Sequence, residues 1–545
     1  MTEGVVYTAI SFAPVQGFIE KSRKLRDLFG ASLILSYLSA RLVDKAKTLN
    51  FEVISPGLLD IKEGMPNRIL IKGNTSLNRD EVRNTLITEW GMILDRCRNW
   101  VEEQLAGETF HWSQLETDKG IQKGEWERWK SHAWEVFWGH GETVKLAMED
   151  LETRKLKRDW IGVNWTGESS SLSGTDAIAW PGLGQQSSRP WEWADHKEAV
   201  ASFYNQLANA LEPSSKSSSD NVPLGKFLDS NERLSIPELV KRLVTRYEDI
   251  GRFLDKDFRF DSLSEMIRLP QGDQPGHWTG WFMGDGDSVG DELKKLAEDP
   301  DDVQPLKQFS NAMRKWGNDF NHHFPNQLGR VIYAGGDDFL GVIYSKDPHK
   351  PIPEYQALQW LMGLNEQWQG HGQPITLSVG FVWAGHSVPQ RDVLQHCREA
   401  EKRAKTLGKN RITIRVLFNS GQYVQWTCPW NYLDILTKYR DRNGVNTHQE
   451  AGKASQKTAN WNHLYSDWAT LKARHAICLE EMEDFKINKQ IAVSLFDLYF
   501  DNAATEFERK QLWQELTGDS TAKAIVNWMD DLIQVGWQLC RNSDH

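Results

Sequence analysis

Cysteine is scarce in this chain, with five residues in 545: Cys97, Cys397, Cys428, Cys478 and Cys540. They are odd in number and widely spaced, and no Cys-x-x-Cys pair occurs, which argues against a disulfide framework and a four-cysteine zinc site. Single buried thiols are expected instead. Long apolar runs are missing too. The stretch around Ala31–Leu38 falls far short of the ~20 residues that span a bilayer. No charged n-region precedes an apolar block at the start, so no secretory signal is expected and the cytoplasm is the expected compartment. Positive charge is in deficit: Lys plus Arg is 64 against 75 for Asp plus Glu, a formal charge of −11. That balance disfavours a surface dominated by nucleic-acid contacts but leaves room for a local basic groove. Several enzyme templates are absent as well. There is no G-x-x-x-x-G-K-[ST] and no H-E-x-x-H, and Gly284-x-Gly286 is followed by Gly290 rather than by the dinucleotide-binding spacing.

Tryptophan, by contrast, is abundant at 25 residues, twelve of them between Trp90 and Trp193. Core filling is the expected use. The pattern along the chain opens with a strand, Val5–Phe12, and a long amphipathic helix from Gln16 to Ala46. Short strands at Phe51–Ser55 and Arg68–Lys72 follow, then a helix capped near Asn78 or Asp80 and running to about Gln104. That order is most of a ferredoxin-like βαββαβ unit. A second such order begins near His277. It has a strand at Trp281–Gly284, a helix from Asp291, strands at Val331–Ala334, Phe339–Tyr344 and Ile375–Val382, a helix from Asp392 to Leu407 and a strand at Arg411–Leu417. The fold class expected is α+β with two such units: a first at 1–105, a mainly helical middle domain at 106–275, a second at 276–417 and a helical C-terminal domain at 418–545. The Ser-rich Pro213–Asp220 reads as a flexible link.

The chemistry concentrates in four carboxylates. Asp285 and Asp287 follow a strand end, and Asp337 and Asp338 sit at the tip of a hairpin whose strands can lie beside it. Grouped carboxylates repel one another unless a cation neutralises them. Hard oxygen ligands suit Mg²⁺, commonly held by one or two carboxylates plus substrate phosphates. Two such ions support phosphoryl transfer. Gly286, Gly335 and Gly336 would let a triphosphate approach the backbone. Lys405, four residues beyond Glu401 on one helix face, and Lys409 are candidates to meet phosphate charge.

The Gly335-Gly336-Asp337-Asp338-Phe339 run resembles the signature of GGDEF-type nucleotidyl cyclases and related palm polymerases. A closer resemblance joins several further motifs. These are Phe12-Ala13-Pro14-Val15-Gln16-Gly17-Phe18-Ile19 with Arg23-Lys24-Leu25-Arg26-Asp27-Leu28, then Pro66-Asn67-Arg68, Glu232-Arg233-Leu234 with Lys241-Arg242, Asp285–Gly290, Ser378–Gly380, and Ala400-Glu401 with Ala404-Lys405 and Gly408-Lys409-Asn410. Together they resemble the large subunit of type III CRISPR effector complexes, Cmr subtype. The resemblance implies two facing palm domains, the first degenerate, and synthesis of cyclic oligoadenylate from ATP when guide RNA pairs with a target transcript. It implies Asp285, Asp337 and Asp338 as catalytic and metal residues holding Mg²⁺ or Mn²⁺, with Asp287 matching the motif but open to a folding role. It also implies partners: other Cmr-type subunits, guide RNA and target RNA, with no membrane. Lys21, Arg23, Lys24 and Arg26 are candidate RNA or partner contacts, and a solvated helix face is an equally good reading of them.

Two departures from the family pattern matter. The chain opens at the first palm and contains no His-Asp dipeptide, so no HD-type DNA cleavage is expected. The stretch corresponding to the family's zinc-binding loop, Ser169–Gly174, has serines in place of cysteines, so no zinc is expected and hydrogen bonds must hold the loop. Two rival readings stay open. The same palm could join AMP to another small acceptor or use GTP, or the chain could be a non-catalytic scaffold.

Overall fold

The computed structural model describes residues 5–540 apart from 58–59, 62–63, 109, 111, 113, 118–119, 158–161, 164, 166, 185–191, 212–226, 230, 258–265, 267, 271–275, 300–301, 348, 443–460, 480–484, 501–505 and 519–520. The expected link Pro213–Asp220 lies outside the described residues. The chain forms two compact units. One comprises Met1–Met266, Gly290–Asn321 and Ile332–Gly336, and the other Ile267–Val289, His322–Val331 and Asp337–His545. Helices and two main sheets alternate in an α+β architecture.

In the first unit, β1 (Val6–Ala13) leads through α1 (Gln16–Glu20) into α2 (Leu25–Thr48). The single helix expected over 16–46 is thus broken at 21–24. The break is set by Asp27, whose carboxylate accepts the backbone N–H groups of Arg23 and Lys24, each at 3.0 Å, and so starts a new helix. Strands β2 (Glu52–Ser55) and β3 (Arg68–Gly73) and helix α3 (Arg79–Gln104) follow. Next come a small hairpin of β4 (Gln114–Thr117) and β5 (Gly120–Lys123), then α4 (Glu125–His132), β6 (Glu135–Gly141) and α5 (Val144–Leu156). The sheet order is β2-β3-β1-β6, with β1 antiparallel to both neighbours. The boundary at 105 therefore needs correction, because the fourth strand of the first βαββαβ unit is β6. An intervening hairpin and helix hide that strand within the Trp-rich segment. Trp90, Trp112 and Trp126 are fully buried there. The indoles of Trp90 and Trp126 donate to the carbonyls of Trp129 and Leu94, each at 3.0 Å, so the core reading holds for them. The unit continues through α6 (Trp193–Leu211), α7 (Ile236–Val244) and α8 (Glu248–Leu254).

The second main sheet starts with β7 (Thr279–Gly286). Helices α9 (Val289–Leu296) and α10 (Gln304–His323) follow and fall in the first compact unit. Then come β8 (Gly329–Ala334), β9 (Asp338–Ile343), α11 (Glu354–Gln369), β10 (Leu377–Ala384), α12 (Gln390–Thr406), β11 (Arg411–Leu417) and β12 (Tyr423–Pro429). The order is β12-β11-β10-β7-β9-β8, with β7 antiparallel to β9 and β10. The strands match the order read from sequence with one more, β12, which extends the sheet beyond 417; helices α10 and α11 were not read. On α12 the residues Val393, Leu394, Cys397, Ala400 and Ala404 are buried, the face its periodicity marks. Helices α13 (Asn462–Ala473), α14 (Phe485–Phe500), α15 (Glu506–Thr517) and α16 (Ala522–Cys540) complete the chain. The Trp528 indole of α16 donates to the Thr427 carbonyl of β12 at 2.9 Å. All five cysteines are free thiols, four of them buried. Among the described residues no helix is long and apolar enough to cross a membrane.

Candidate active site

The carboxylates meet through sheet register. Asp285 lies within β7, not beyond it as the sequence suggested, and its cross-strand partner is Asp338, the first residue of β9. The Gly286 N–H donates to the Asp337 carbonyl at 2.8 Å, which fixes the tip of the hairpin against the end of β7. Asp338 is exposed, Asp337 is half-buried, and Gly335 and Gly336 are buried. Directly opposed like charges destabilise a strand pair, so this pairing needs a cation.

Part of that cation is built in. The Lys405 ammonium donates to Asp285 Oδ2 and also lies 2.9 Å from Glu401 Oε1. Burial, with help from nearby Lys409, lowers the Lys405 pKa. Burial first and the Asp287 charge second push Glu401 up to about 7, against the pull of Arg398. Lys409 donates to the Ser288 hydroxyl at 2.6 Å. Helix α12, which carries Lys405, is seated on β10 at Gly380. A Cβ there would lie 2.2 Å from the Cys397 carbonyl oxygen and 2.5 Å from the Glu401 backbone nitrogen.

Asp287, one of the four carboxylates read from sequence as metal residues and open there to a folding role, is engaged by the chain itself. It is buried, and both its oxygens are taken. Oδ1 accepts from the Ser378 hydroxyl at 2.7 Å, and Oδ2 from the Thr376 hydroxyl and the Asn410 N–H, each at 2.8 Å. It braces β10 and the start of β11. The signal for those partners was present only as scattered motif residues, Ser378 and Asn410, with no spacing to connect them. Asp285, Asp337 and Asp338 remain the candidate metal residues. Among the described residues no three His, Cys, Asp or Glu side chains are gathered into a preformed cage. An open pair of hard oxygen donors, already attracting one ammonium, still fits Mg²⁺ or Mn²⁺ that takes its remaining ligands from nucleotide phosphates and water.

The first sheet shows the same register without the chemistry. There Ser11 pairs with Arg68 where the second sheet pairs Asp285 with Asp338. Asn67, at the place of Asp337, donates to the Phe12 carbonyl at 3.0 Å. Serine, asparagine and arginine offer no anionic nest for a divalent ion.

The basic cluster is mostly engaged within the chain. Lys21 pairs with Asp176 at 2.6 Å, and Lys24 lies 3.5 Å from Glu232. Arg26 is buried, its guanidinium 3.5 Å over the Phe227 ring. Arg23 lies 3.6 Å from Glu232 and is the most exposed of the four, with 61% of its side chain exposed. The Ser169–Gly174 loop is tied by hydrogen bonds. The buried Ser170 hydroxyl donates to Glu238 at 2.6 Å and accepts the N–H groups of Leu172 and Ser173. Ser171 Oγ accepts the Arg233 N–H at 2.8 Å.

Two βαββαβ sheets, one with an acidic cross-strand pair and the other without, define a palm-domain protein. Family comparison carries this further. Residues 279–413 match the second palm domain of Cas10/Cmr2, and residues 7–60 match the N-terminal part of the CRISPR-associated protein Cmr2. These two segments are similar to parts of the Cas10/Cmr2 proteins. Among solved structures this chain is similar to a chain of the type III-B Cmr-beta assembly in its apo state, at 11% identity and a TM-score of 0.56. That match covers 98% of this chain and 82% of the other. It is also similar to chains of the Csm1–Csm4 cassette in complex with cA4 (14% identity, TM-score 0.48) and with one ATP (15%, 0.47). Each of these covers 99% of this chain and 70% of the other. No curated protein matches the sequence.

Proposed function

We propose that this chain is the large subunit of a type III-B, RNA-guided effector complex and that its second palm makes cyclic oligoadenylate from ATP when a target RNA pairs with the guide. The observation that carries the reading is the Asp285–Asp338 cross-strand pair, with Asp337 beside it and Lys405 on Asp285, in one palm of two.

In this reading a 3′-hydroxyl forms a bond to the α-phosphorus of a second ATP, and the bond to pyrophosphate breaks. Asp285, Asp337 and Asp338 hold Mg²⁺ or Mn²⁺, which when bound supplies charge neutralisation at the phosphates and a more acidic hydroxyl. Lys405 exchanges part of its pairing with Asp285 for the triphosphate, and Lys409 adds a second positive charge. Gly335 and Gly336 leave the backbone N–H groups unshielded by side chains. Catalysis is positioning and electrostatics. The chain works in the cytoplasm with other Cmr-type subunits, guide RNA and target RNA, and its hydrogen-bonded Ser170 loop needs no zinc.

The test uses the reconstituted complex with guide RNA, Mg²⁺ or Mn²⁺ and labelled ATP, with and without complementary RNA, read by mass spectrometry. Target-dependent cyclic oligoadenylate, abolished by Asp337→Ala/Asp338→Ala with assembly intact, is the expected result. An AMP conjugate formed only with added cell metabolites would replace the acceptor. No nucleotide consumption by the assembled, target-bound complex would leave a scaffold.

A further inference from the structure

The Gly-Gly turn that precedes the catalytic carboxylates is held from behind by a buried arginine of α10. Arg314 is 1% exposed. Its Nη1 donates to the carbonyls of Gly335 at 3.1 Å, Ala334 at 3.4 Å and Gly64 at 2.6 Å. Its Nη2 donates to the Asp60 carbonyl at 3.4 Å. One guanidinium thus joins two segments distant in sequence: the connection after β2 in the first palm, and the end of β8 that runs into Gly336 and Asp337. The rest of the same α10 face follows that connection at helical spacing. Lys307 pairs with Glu52, the Ser310 hydroxyl accepts the Gly57 N–H at 2.9 Å, and Ser310 meets Ser55 at 3.3 Å. Gly64 has φ of +92°, and a Cβ there would come within 3.1 Å of Tyr333 Cβ and 3.5 Å of Gly335 Cα. Only glycine adopts that conformation without strain.

We infer that Arg314 is a positioning residue that transmits the placement of Asp60 and Gly64 in the first palm to the Gly335–Gly336 turn, and through the chain to Asp337 and Asp338. A planar fork of five donors is what four carbonyls at different angles require, and a lysine ammonium cannot serve them all. The first palm, which lacks an acidic cross-strand pair of its own, then contributes to the reaction mechanically. The inference rests on the proposed nucleotidyl transfer for its kinetic consequence, though not for the coupling itself.

The test compares Arg314→Lys, Arg314→Gln and the wild type in the assembled complex. Amide hydrogen exchange is read in peptides that contain Asp60 and Gly64 and in peptides that contain Tyr333–Asp338. Both segments should lose protection together, by about tenfold or more, while β11 keeps its protection and so reports a folded chain. Turnover should fall about tenfold or more with KM for ATP within about twofold, because geometry at the carboxylates suffers and nucleotide capture does not. Asp337→Ala/Asp338→Ala should abolish turnover without changing exchange near Gly64. Loss of protection in one segment only, or joint loss with unchanged turnover, would overturn the inference. If the wild-type complex consumes no nucleotide, the proposed function fails, and the paired exchange readout alone still decides the coupling.

Discussion

Replacing Asp287 with alanine separates a structural carboxylate from a metal-binding one. In the folded chain it accepts three short hydrogen bonds, from Ser378, Thr376 and Asn410, and Ser378 is fully buried. A hydrogen bond to a charged group contributes about 1.5–3 kcal/mol. Three on one carboxylate do not add in full, because the remaining donors can partly re-pair. Truncation should therefore cost about 3–5 kcal/mol, chiefly as buried donors left without an acceptor. At about 2–4 °C per kcal/mol for a unit of this size, the melting transition of the second unit should fall by on the order of 10 °C. Asp285→Ala and Asp338→Ala remove partly exposed carboxylates and should change stability by less than about 1 kcal/mol. The assay is thermal unfolding of the full chain with amide exchange at Asn410 as a local probe, beside a Mn²⁺ titration. If Asp287→Ala melts with the wild type and instead loses Mn²⁺ affinity, the brace assigned to Asp287 is wrong.

Further perturbations probe the other buried charges. In the first unit, Asp27 is forked by Arg242 through two bonds of 2.9 Å. Burial pushes the Asp27 carboxyl up, but the Arg242 charge and hydrogen bonds, together with the N–H groups of Lys24 and Arg23, hold it at about 2. Because its folded pKa lies below the ordinary 3.8, the stability it contributes is full above about pH 4 and fades as pH falls toward 2. Asp27→Asn should cost about 1.5–3 kcal/mol at pH 7, because Arg242 loses one of its two carboxylate partners and keeps Glu232 at 2.8 Å, and denaturant melts should show that gap narrowing from pH 4 to 2. A gap independent of pH would refute the ion-pair account. Lys405→Met should raise KM for ATP about tenfold or more while leaving the melting temperature within a few degrees, measured by initial rates and calorimetry; an unchanged KM would remove Lys405 from phosphate contact. Ser170→Ala should cost about 2–3 kcal/mol and loosen the loop in hydrogen exchange. A chelator should leave the wild-type loop protected, and loss of protection on chelation would point to a metal there.

Much of the second palm was legible because its strands are near-continuous apolar runs and its helix α12 is regular. Asp285 and Asp338 were placed together from the order of elements alone. Two things were hidden, both for the same reason. The role of Asp287 depends on Thr376, Ser378 and Asn410, roughly 90 to 120 residues away, and no local period announces them. The buried end of the basic cluster depends likewise on Phe227 and Glu232. Lys21–Arg26 looked like a charged helix face because four cations in six residues usually are one, yet a break in the helix turns most of them inward. The end of the first palm was missed because β6 follows a hairpin and a short helix that its simplest order does not contain. Arg314 carried no signal at all, being a lone arginine on an otherwise ordinary helix.

The seat of α12 on β10 has a kinematic consequence. Where a helix meets a strand through side chains, it can slide by exchanging rotamers. At Gly380 the neighbouring atoms are the backbone of Cys397 and Glu401, which have no rotamers to exchange. The helix therefore acts as a fixed jaw, and Lys405 follows the sheet as one body with Asp285. Under the proposed function, adaptation to an incoming triphosphate would fall on the torsions of the lysine stem. Even one methyl group added at Gly380, behind the site and out of reach of any nucleotide, would displace the jaw and misplace the ammonium at its tip.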